Sequence, residues 1–373
     1  MGHVERRGKG RWRARYRGPD HKERSRTLTR KVDAQRWLAN VETSIARGEW
    51  LDPARGRVTV ERWATEWLAT RGDLRTTTRA RLDSTIRLHV LPAFGSRRLP
   101  SLTNAEIRQW VAAMSVTGMS AASVRKAAFA LRQMLDAAVA DRRLAVNPAT
   151  NVPLPAEHAD EQRFLTREQV SDLAAAMPGQ YRALVLVAAY SGLRWGELAG
   201  LRRGRVDTLR GRLTVAETAV DVGREVTFGP PKTAKSRRVV PIARSVMRQV
   251  EAHLAEHTGP DADALVFTSA TGLPLRRGTF RQVWQPATRA VGVDGLRFHD
   301  LRHTYVAVLV GAGANPKAVS TWAGHSSVAF TLDRYGHLLD GHDDEVSDRL
   351  DLLLATTAPR PPSPVRQIGS AGG

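Results

Sequence analysis

The 373-residue chain contains no cysteine. That absence excludes disulfides, thiolate nucleophiles and cysteine-ligated zinc. Long apolar runs are missing too: the longest, Ala183 to Tyr190, is far too short to cross a bilayer. The opening residues, Met1-Gly2-His3-Val4-Glu5-Arg6-Arg7, are basic and never reach the apolar stretch of a secretory signal. Acidic residues are scarce, 37 Asp and Glu against 57 Lys and Arg, for a formal charge of +20. An excess of that size favours polyanionic partners, nucleic acid first. The basic residues are spread along the chain rather than gathered beside an apolar segment, which argues against a membrane surface. A soluble, cytoplasmic protein of two or three domains is expected.

Residues 11–17 alternate arginine with Trp12, Ala14 and Tyr16, the period of a strand with one arginine face and one apolar face. Gly18-Pro19-Asp20 predicts a turn and Arg24 to Leu28 a second strand. Thr29 is placed to cap a helix with apolar positions Ala34, Trp37, Leu38, Val41 and Ile45, and Gly48 past its end. Residues 1–57 hold 16 basic and seven acidic residues, so the arginine face is suited to phosphates. Residues 58–149 predict four helices. Trp63 and Trp67 belong to the first, Arg75 to Val90 form the second, Thr103-Asn104-Ala105-Glu106 opens the third as a capping box, and Ser120 begins the fourth. Asn147-Pro148 ends it, and a polar, proline-bearing linker occupies 150–163. A further, mostly helical domain is expected over 164–356, with a strand-rich stretch near 205–241. Residues 357–373, rich in Pro, Gly and Ser, read as a disordered tail. The fold class is mainly α with small β-sheets, α+β.

The chemistry-bearing residues cluster late in the chain. His299-Asp300-Leu301-Arg302-His303 is followed by Gly324-His325 and then Tyr335-Gly336-His337, and Arg194 stands upstream in Ser191-Gly192-Leu193-Arg194-Trp195-Gly196-Glu197-Leu198. A guanidinium presents a planar fork of donors that fits two phosphate oxygens. A phenol, with an ordinary pKa of about 10, needs neighbouring positive charge and a base before it becomes a nucleophile. Of the five tyrosines, Tyr16, Tyr181, Tyr190, Tyr305 and Tyr335, only Tyr335 lies in a polar, glycine-flanked C-terminal context; Tyr305 reads as core. Two arginines, two histidines and a tyrosine form a set able to break a phosphodiester without a metal. His299 and His303 have the i, i+4 spacing of a helical zinc motif. Yet Asp300 stands where that motif has glutamate, and Arg302 would sit beside the dication, so no metal site is expected. Lys232 lies in Pro231-Lys232-Thr233-Ala234-Lys235, between stretches 225–228 and 238–241 that read as the two strands of a hairpin with the lysines at its tip.

With these residues in place, the chain resembles the tyrosine recombinase (phage integrase) family. The family pattern of Arg, Lys, His-x-x-Arg, His or Trp, and Tyr falls on Arg194, Lys232, His299, Arg302, His325 and Tyr335, with Lys235 a nearby alternative to Lys232. Ala323 departs from the leucine more usual before Gly324. The resemblance implies a catalytic domain over 164–356, a helical core-binding domain over 58–149 and a small domain of a three-stranded sheet plus a helix over 1–57 that binds arm-type DNA sites. Only two strands of that domain are evident in the sequence.

The resemblance also implies a mechanism without cofactor, metal or ATP. Tyr335 attacks the scissile phosphate and forms a 3′-phosphotyrosyl link, Arg194 and Arg302 hold the non-bridging oxygens, and Lys232 protonates the leaving 5′-oxygen. His299 takes the tyrosine proton, His325 hydrogen-bonds the phosphate and Glu197 supports the set. Double-stranded DNA attachment sites, a tetramer on DNA, an excisionase and a DNA-bending host protein are the partners implied. A type IB topoisomerase and a DNA-binding regulator that no longer cuts are the competing readings.

Overall fold

The computed structural model describes residues 2–338 apart from 9, 48–49, 51, 54–56, 158–161, 224 and 232–235, together with 347–348, 350–352 and 354. The expected tail at 357–373 lies outside the described residues, as do Lys232 and Lys235. The chain divides into two compact units, 1–160 and 161–373.

The first unit begins with a three-stranded antiparallel sheet: β1 (His3–Arg6), β2 (Trp12–Arg17) and β3 (Glu23–Leu28). The alternation in β2 acts as its period requires. Ala14 and Tyr16 are buried with Ala34 and Leu38 of helix α1 (Lys31–Ala46), while the arginines take the other face. Arg15 is paired there with Glu5 at 2.9 Å and Glu23 at 3.2 Å, and Arg13 donates to Ser25 Oγ at 3.0 Å. Strand β1 adds a third strand where the sequence reading found two. The expected cap also moves. Arg30, not Thr29, is the N-cap of α1, and it makes no side-chain cap bond. Thr29 ends up just beyond β3, too early to cap the first turn.

The second part of this unit is a helical bundle: α2 (Val60–Thr70), α3 (Thr76–Thr85), α5 (Asn104–Val116) and α6 (Ala121–Ala140). Helix α3 runs on through a π-helical turn, Ile86–Val90, into the short α4 (Leu91–Phe94). Three of these four helices carry a side-chain cap for their free N–H groups, and α3, with Arg75 as its N-cap, does not. Thr59 accepts from Arg62 N, Thr103 and Glu106 form a reciprocal capping box, and Ser120 accepts from Ser123 N. Trp63 and Trp67 are buried as expected, and Trp63 Nε1 donates to Met134 O at 2.8 Å. The segment read as linker is anchored at its start: Val152 and Leu154 pack on the bundle, and Arg125 Nη1 donates to Pro155 O at 3.2 Å.

The second unit is built around α8 (Gly179–Ser191), which is apolar almost all round and therefore central. Helices α7 (Arg167–Ala176), α10 (Arg244–His257) and α12 (Asp300–Gly311) pack on it. Helix α7 starts on the expected capping box, Thr166 with Gln169. Helix α9 (Trp195–Ala199) follows α8 and leads to two small sheets. One has the order β4 (Val206–Asp207), β5 (Arg212–Val215), β8 (Arg238–Pro241); the other pairs β6 (Thr218–Val222) with β7 (Glu225–Gly229). Both strands read on either side of Lys232 therefore exist, yet they do not form a hairpin with each other. Strand β7 turns back on β6, whereas β8 pairs with β5 in the register Val240 to Leu213. Pro230 and Pro231 lack N–H donors and cannot extend the β6–β7 ladder toward β8. Helices α11 (Arg277–Ala290), α13 (Pro316–Ala323) and α14 (Val328–Tyr335) complete the unit.

Candidate active site

Three chain segments place the functional side chains. Helix α8 ends on Gly192, in the left-handed conformation at φ 62°. There a Cβ would lie 2.3 Å from the Tyr305 ring, so only glycine fits. The turn delivers Arg194 as N-cap of α9, where its backbone N–H donates to Glu197 Oε2 at 2.8 Å. His299 is the N-cap of α12, and Arg302, His303 and Tyr305 follow on that helix. Helix α13 ends on Gly324, again left-handed at φ 67°, and hands the chain to His325 and then α14, which ends at Tyr335.

These segments are bonded to one another. Arg302 Nη1 donates to Gly192 O at 2.5 Å, and Arg194 Nη2 donates to Gly324 O at 2.7 Å. Glu197, itself buried, accepts from Arg194 Nη1 at 3.1 Å and takes Arg238 of β8 in a two-pronged pair at 3.0 and 2.9 Å. Arg238 Nε then donates to Trp322 O at 2.8 Å. Each guanidinium is thus held by carbonyl or carboxylate oxygens in a fixed plane.

Arg194, His299, Arg302, His325 and Tyr335 line one cavity of about 460 Å³, with His303, Arg297, Ser326, Phe330 and Arg334. Five of the six expected residues are brought together; the sixth, Lys232, is outside the described residues. Arg302, His303 and Tyr335 are buried, Arg194 and His325 are half-buried, and His299 is exposed at the rim. His325 lies parallel to the Tyr335 ring, 5.7 Å between centroids, and its Nδ1 is 2.9 Å from Thr331 Oγ1. The Tyr335 hydroxyl meets His303 Nδ1 at 2.6 Å. The phenol partner is therefore His303, where the family pattern points to His299. His303 was legible only as a zinc-like spacing from His299. Among the described residues no group of three or more His, Cys, Asp or Glu side chains is placed to hold a metal ion.

The electrostatics follow from burial within a cluster of cations. Burial, then Arg302 and Arg194, pushes His325 down to about 3, so its imidazole is neutral at pH 7. Burial also weakens the Arg302 cation, with Arg194 adding to the effect. Such a cation gains from any anion that enters. Burial raises the Tyr335 phenol, while Arg302 and Arg334 pull the other way. An anionic ligand is what this cavity is charged to accept, and a phenol oxygen faces it.

Comparison with known proteins agrees. Residues 163–342 match the phage integrase family, residues 1–47 the phage integrase N-terminal domain and residues 59–115 the phage integrase N-terminal SAM-like domain. The chain is 30% identical over 365 residues to a protein named as the prophage phiRv2 integrase of Mycobacterium tuberculosis, covering 95% of this chain and 96% of that one. It is 29% identical over 358 residues to the integrase of Mycobacterium phage D29, 92% of each chain. In fold it is similar to the Tn1549 transposon integrase in complex with a circular intermediate DNA, with TM-score 0.63 and 20% identity over 79% of this chain and 99% of that one. It is also similar to a lambda integrase dimer bound to a COC′ core site, with TM-score 0.60 and 18% identity over 91% and 95% of the two chains. The α+β fold, the clustered arginines and the end-to-end likeness to phage and prophage integrases agree: this chain belongs to the phage integrase family and is a tyrosine-type site-specific DNA recombinase.

Proposed function

We propose that the chain integrates a phage or other mobile element by cutting and resealing duplex DNA at attachment sites, with Tyr335 as nucleophile. Tyr335 Oη attacks the scissile phosphate, forming a 3′-phosphotyrosyl bond as the bond to the 5′-oxygen breaks. Arg194 and Arg302 hold the non-bridging oxygens and stabilise the charge that builds on them. His325 hydrogen-bonds the phosphate, and Lys232 gives the leaving oxygen its proton. A 5′-hydroxyl from the partner duplex then reverses the steps. The covalent link conserves the energy of the broken bond, so resealing needs no ATP. His299, at the cavity rim, faces the incoming phosphate. Residues 1–57 serve arm-type sites, 58–149 the core site and 164–356 catalysis. Assembly as a tetramer on DNA, an excisionase, a DNA-bending host protein and a cytoplasmic location complete the reading.

One observation supports this most: Tyr335 and two anchored arginines line a single cavity. The test is covalent capture. The protein is incubated with a library of nicked duplexes of randomised core sequence, and DNA that stays attached through denaturation is recovered and sequenced. Wild type should yield adducts of a defined core sequence, and Tyr335→Phe should yield none. No adduct from wild type, or an undiminished adduct from Tyr335→Phe, overturns the reading. Adducts without sequence preference would point to a topoisomerase.

A further inference from the structure

His303 is not among the six residues that the family pattern picks out, yet it is the side chain bonded to the reacting phenol. Its Nδ1 lies 2.6 Å from Tyr335 Oη, inside the range of a strong O–H···N bond, and both residues are buried. The two rings are held from different directions. His303 sits in the first turn of α12 against the His299 ring, edge to face at 5.2 Å, while Tyr335 is backed by the His325 ring. A general base must lie within about 2.6–3.2 Å, heavy atom to heavy atom, of the group whose proton it removes. His303 meets that condition.

We propose that His303 is the general base for Tyr335, taking its proton at Nδ1 as the phenol attacks the phosphate. The inference rests on the recombinase reading above. In the step, the Oη–H bond breaks, the oxygen pair forms the O–P bond and the proton moves to Nδ1. The P–O5′ bond breaks, and that oxygen is protonated by the general acid. In the reverse step the imidazolium returns its proton to the departing phenol. His299, on the rim, is left to face the phosphate.

The charges around His303 set the pH dependence. Burial lowers His303 to about 4, with His299, Arg334 and Arg297 acting in the same direction and Asp300 opposing. Tyr335 and the neighbouring Arg302 also face it, from α14 and α12. The ring is therefore neutral at pH 7, and in its Nε2–H tautomer the Nδ1 lone pair accepts from the phenol. An arriving phosphate is an anion, which offsets those cations and raises the basicity of the imidazole in the complex. Adduct formation by wild type should accordingly rise with pH on a limb between about 4 and 6.5, the free-site value and the unperturbed one, and then level off.

The test measures single-turnover adduct formation from about pH 4 to 9.5, the span of the predicted limb and plateau, on a duplex recovered by covalent capture. Wild type is compared with His303→Ala, His303→Asn and His299→Ala. Asparagine can place an oxygen near the position of Nδ1 but cannot take the proton. Both His303 variants should be slower by about 10²–10⁴-fold at pH 7. Their rates should climb steadily with pH where wild type is level, and added imidazole should accelerate His303→Ala but not His299→Ala. Wild-type rates in His303→Asn would reduce His303 to a positioning residue and overturn the proposal. So would slow rates insensitive to both pH and imidazole, or rescue of His299→Ala instead. Should the variants fail to fold, nitrogen-15 NMR of the wild-type protein decides. His303 Nδ1 must appear as the unprotonated nitrogen; a proton resident there sinks the idea. Failure of the recombinase reading looks different, since wild type itself then gives no Tyr335-dependent adduct.

Discussion

At the residue scale, Arg194 and Arg238 share one carboxylate but differ in surroundings. The Arg238 side chain is 3% exposed and that of Arg194 42% exposed, while Glu197 between them is 3% exposed. Arg238 thus balances a buried charge, and Arg194 keeps donors free for a ligand. Breaking a buried pair by removing one partner costs about 3–5 kcal/mol. Arg238→Ala should lose stability on that scale, seen as a lower urea midpoint with an unchanged slope. Arg194→Ala should lose far less stability while abolishing adduct formation. Similar midpoints for the two variants would contradict this division. Arg194 and Arg302 were both legible in the sequence, because each sits in a short motif. Arg238 was not: it meets Glu197 across 41 residues, and nothing local marks a strand arginine as a core residue. His303 was visible, but only through a zinc-like spacing that Asp300 and Arg302 argue against; its place against the Tyr335 hydroxyl is set by the fold.

At the element scale, two helices stop on left-handed glycines, and the carbonyls of these glycines accept from Arg302 and Arg194. Gly192→Ala tests how tightly the first stop is built. A left-handed alanine costs about 1–2 kcal/mol, and forcing its methyl against Tyr305 adds about 1–3 kcal/mol. The variant should therefore lose several degrees of melting temperature and also slow adduct formation, because Arg302 loses its anchor. A variant that melts like wild type would show that the turn has slack. The helices were the most legible elements, for capping side chains announce them within four residues, as at Thr103 and Thr166. Strand β1 was missed because His-Val-Glu-Arg is too short to reveal an alternation. The pairing of β8 with β5 was missed because strand partners are fixed by packing, here of Val240 and Leu213, and not by order in the chain. The N-cap Arg30 offers no side-chain oxygen, so no sequence rule would select it over Thr29.

At the scale of the whole molecule, charge dominates. A formal +20 implies that DNA binding is driven largely by release of counterions from phosphates. If six to ten phosphates are contacted, affinity for a core duplex should fall by about 10³–10⁵ between 50 and 200 mM salt. Fluorescence anisotropy across that range gives the slope directly; a flat response would remove electrostatics as the main driver. Intramolecular pairs such as Arg15 with Glu5 and Glu23 hold some of the arginines in place, but the net charge already subtracts those acids, so the surplus remains available to phosphates. The crossed bonds of the active site have a further consequence for the chain as a whole. Gly192 with Arg302, Arg194 with Gly324, and Glu197 through Arg238 to Trp322 join segments up to 130 residues apart. The reactive geometry is therefore a property of closure rather than of sequence continuity. Exposed connections between those points can change in length while the knot stays tied, whereas the buried helices and strands between them share one core with it. Losing one strand of the knot, by contrast, loosens residues far away along the chain.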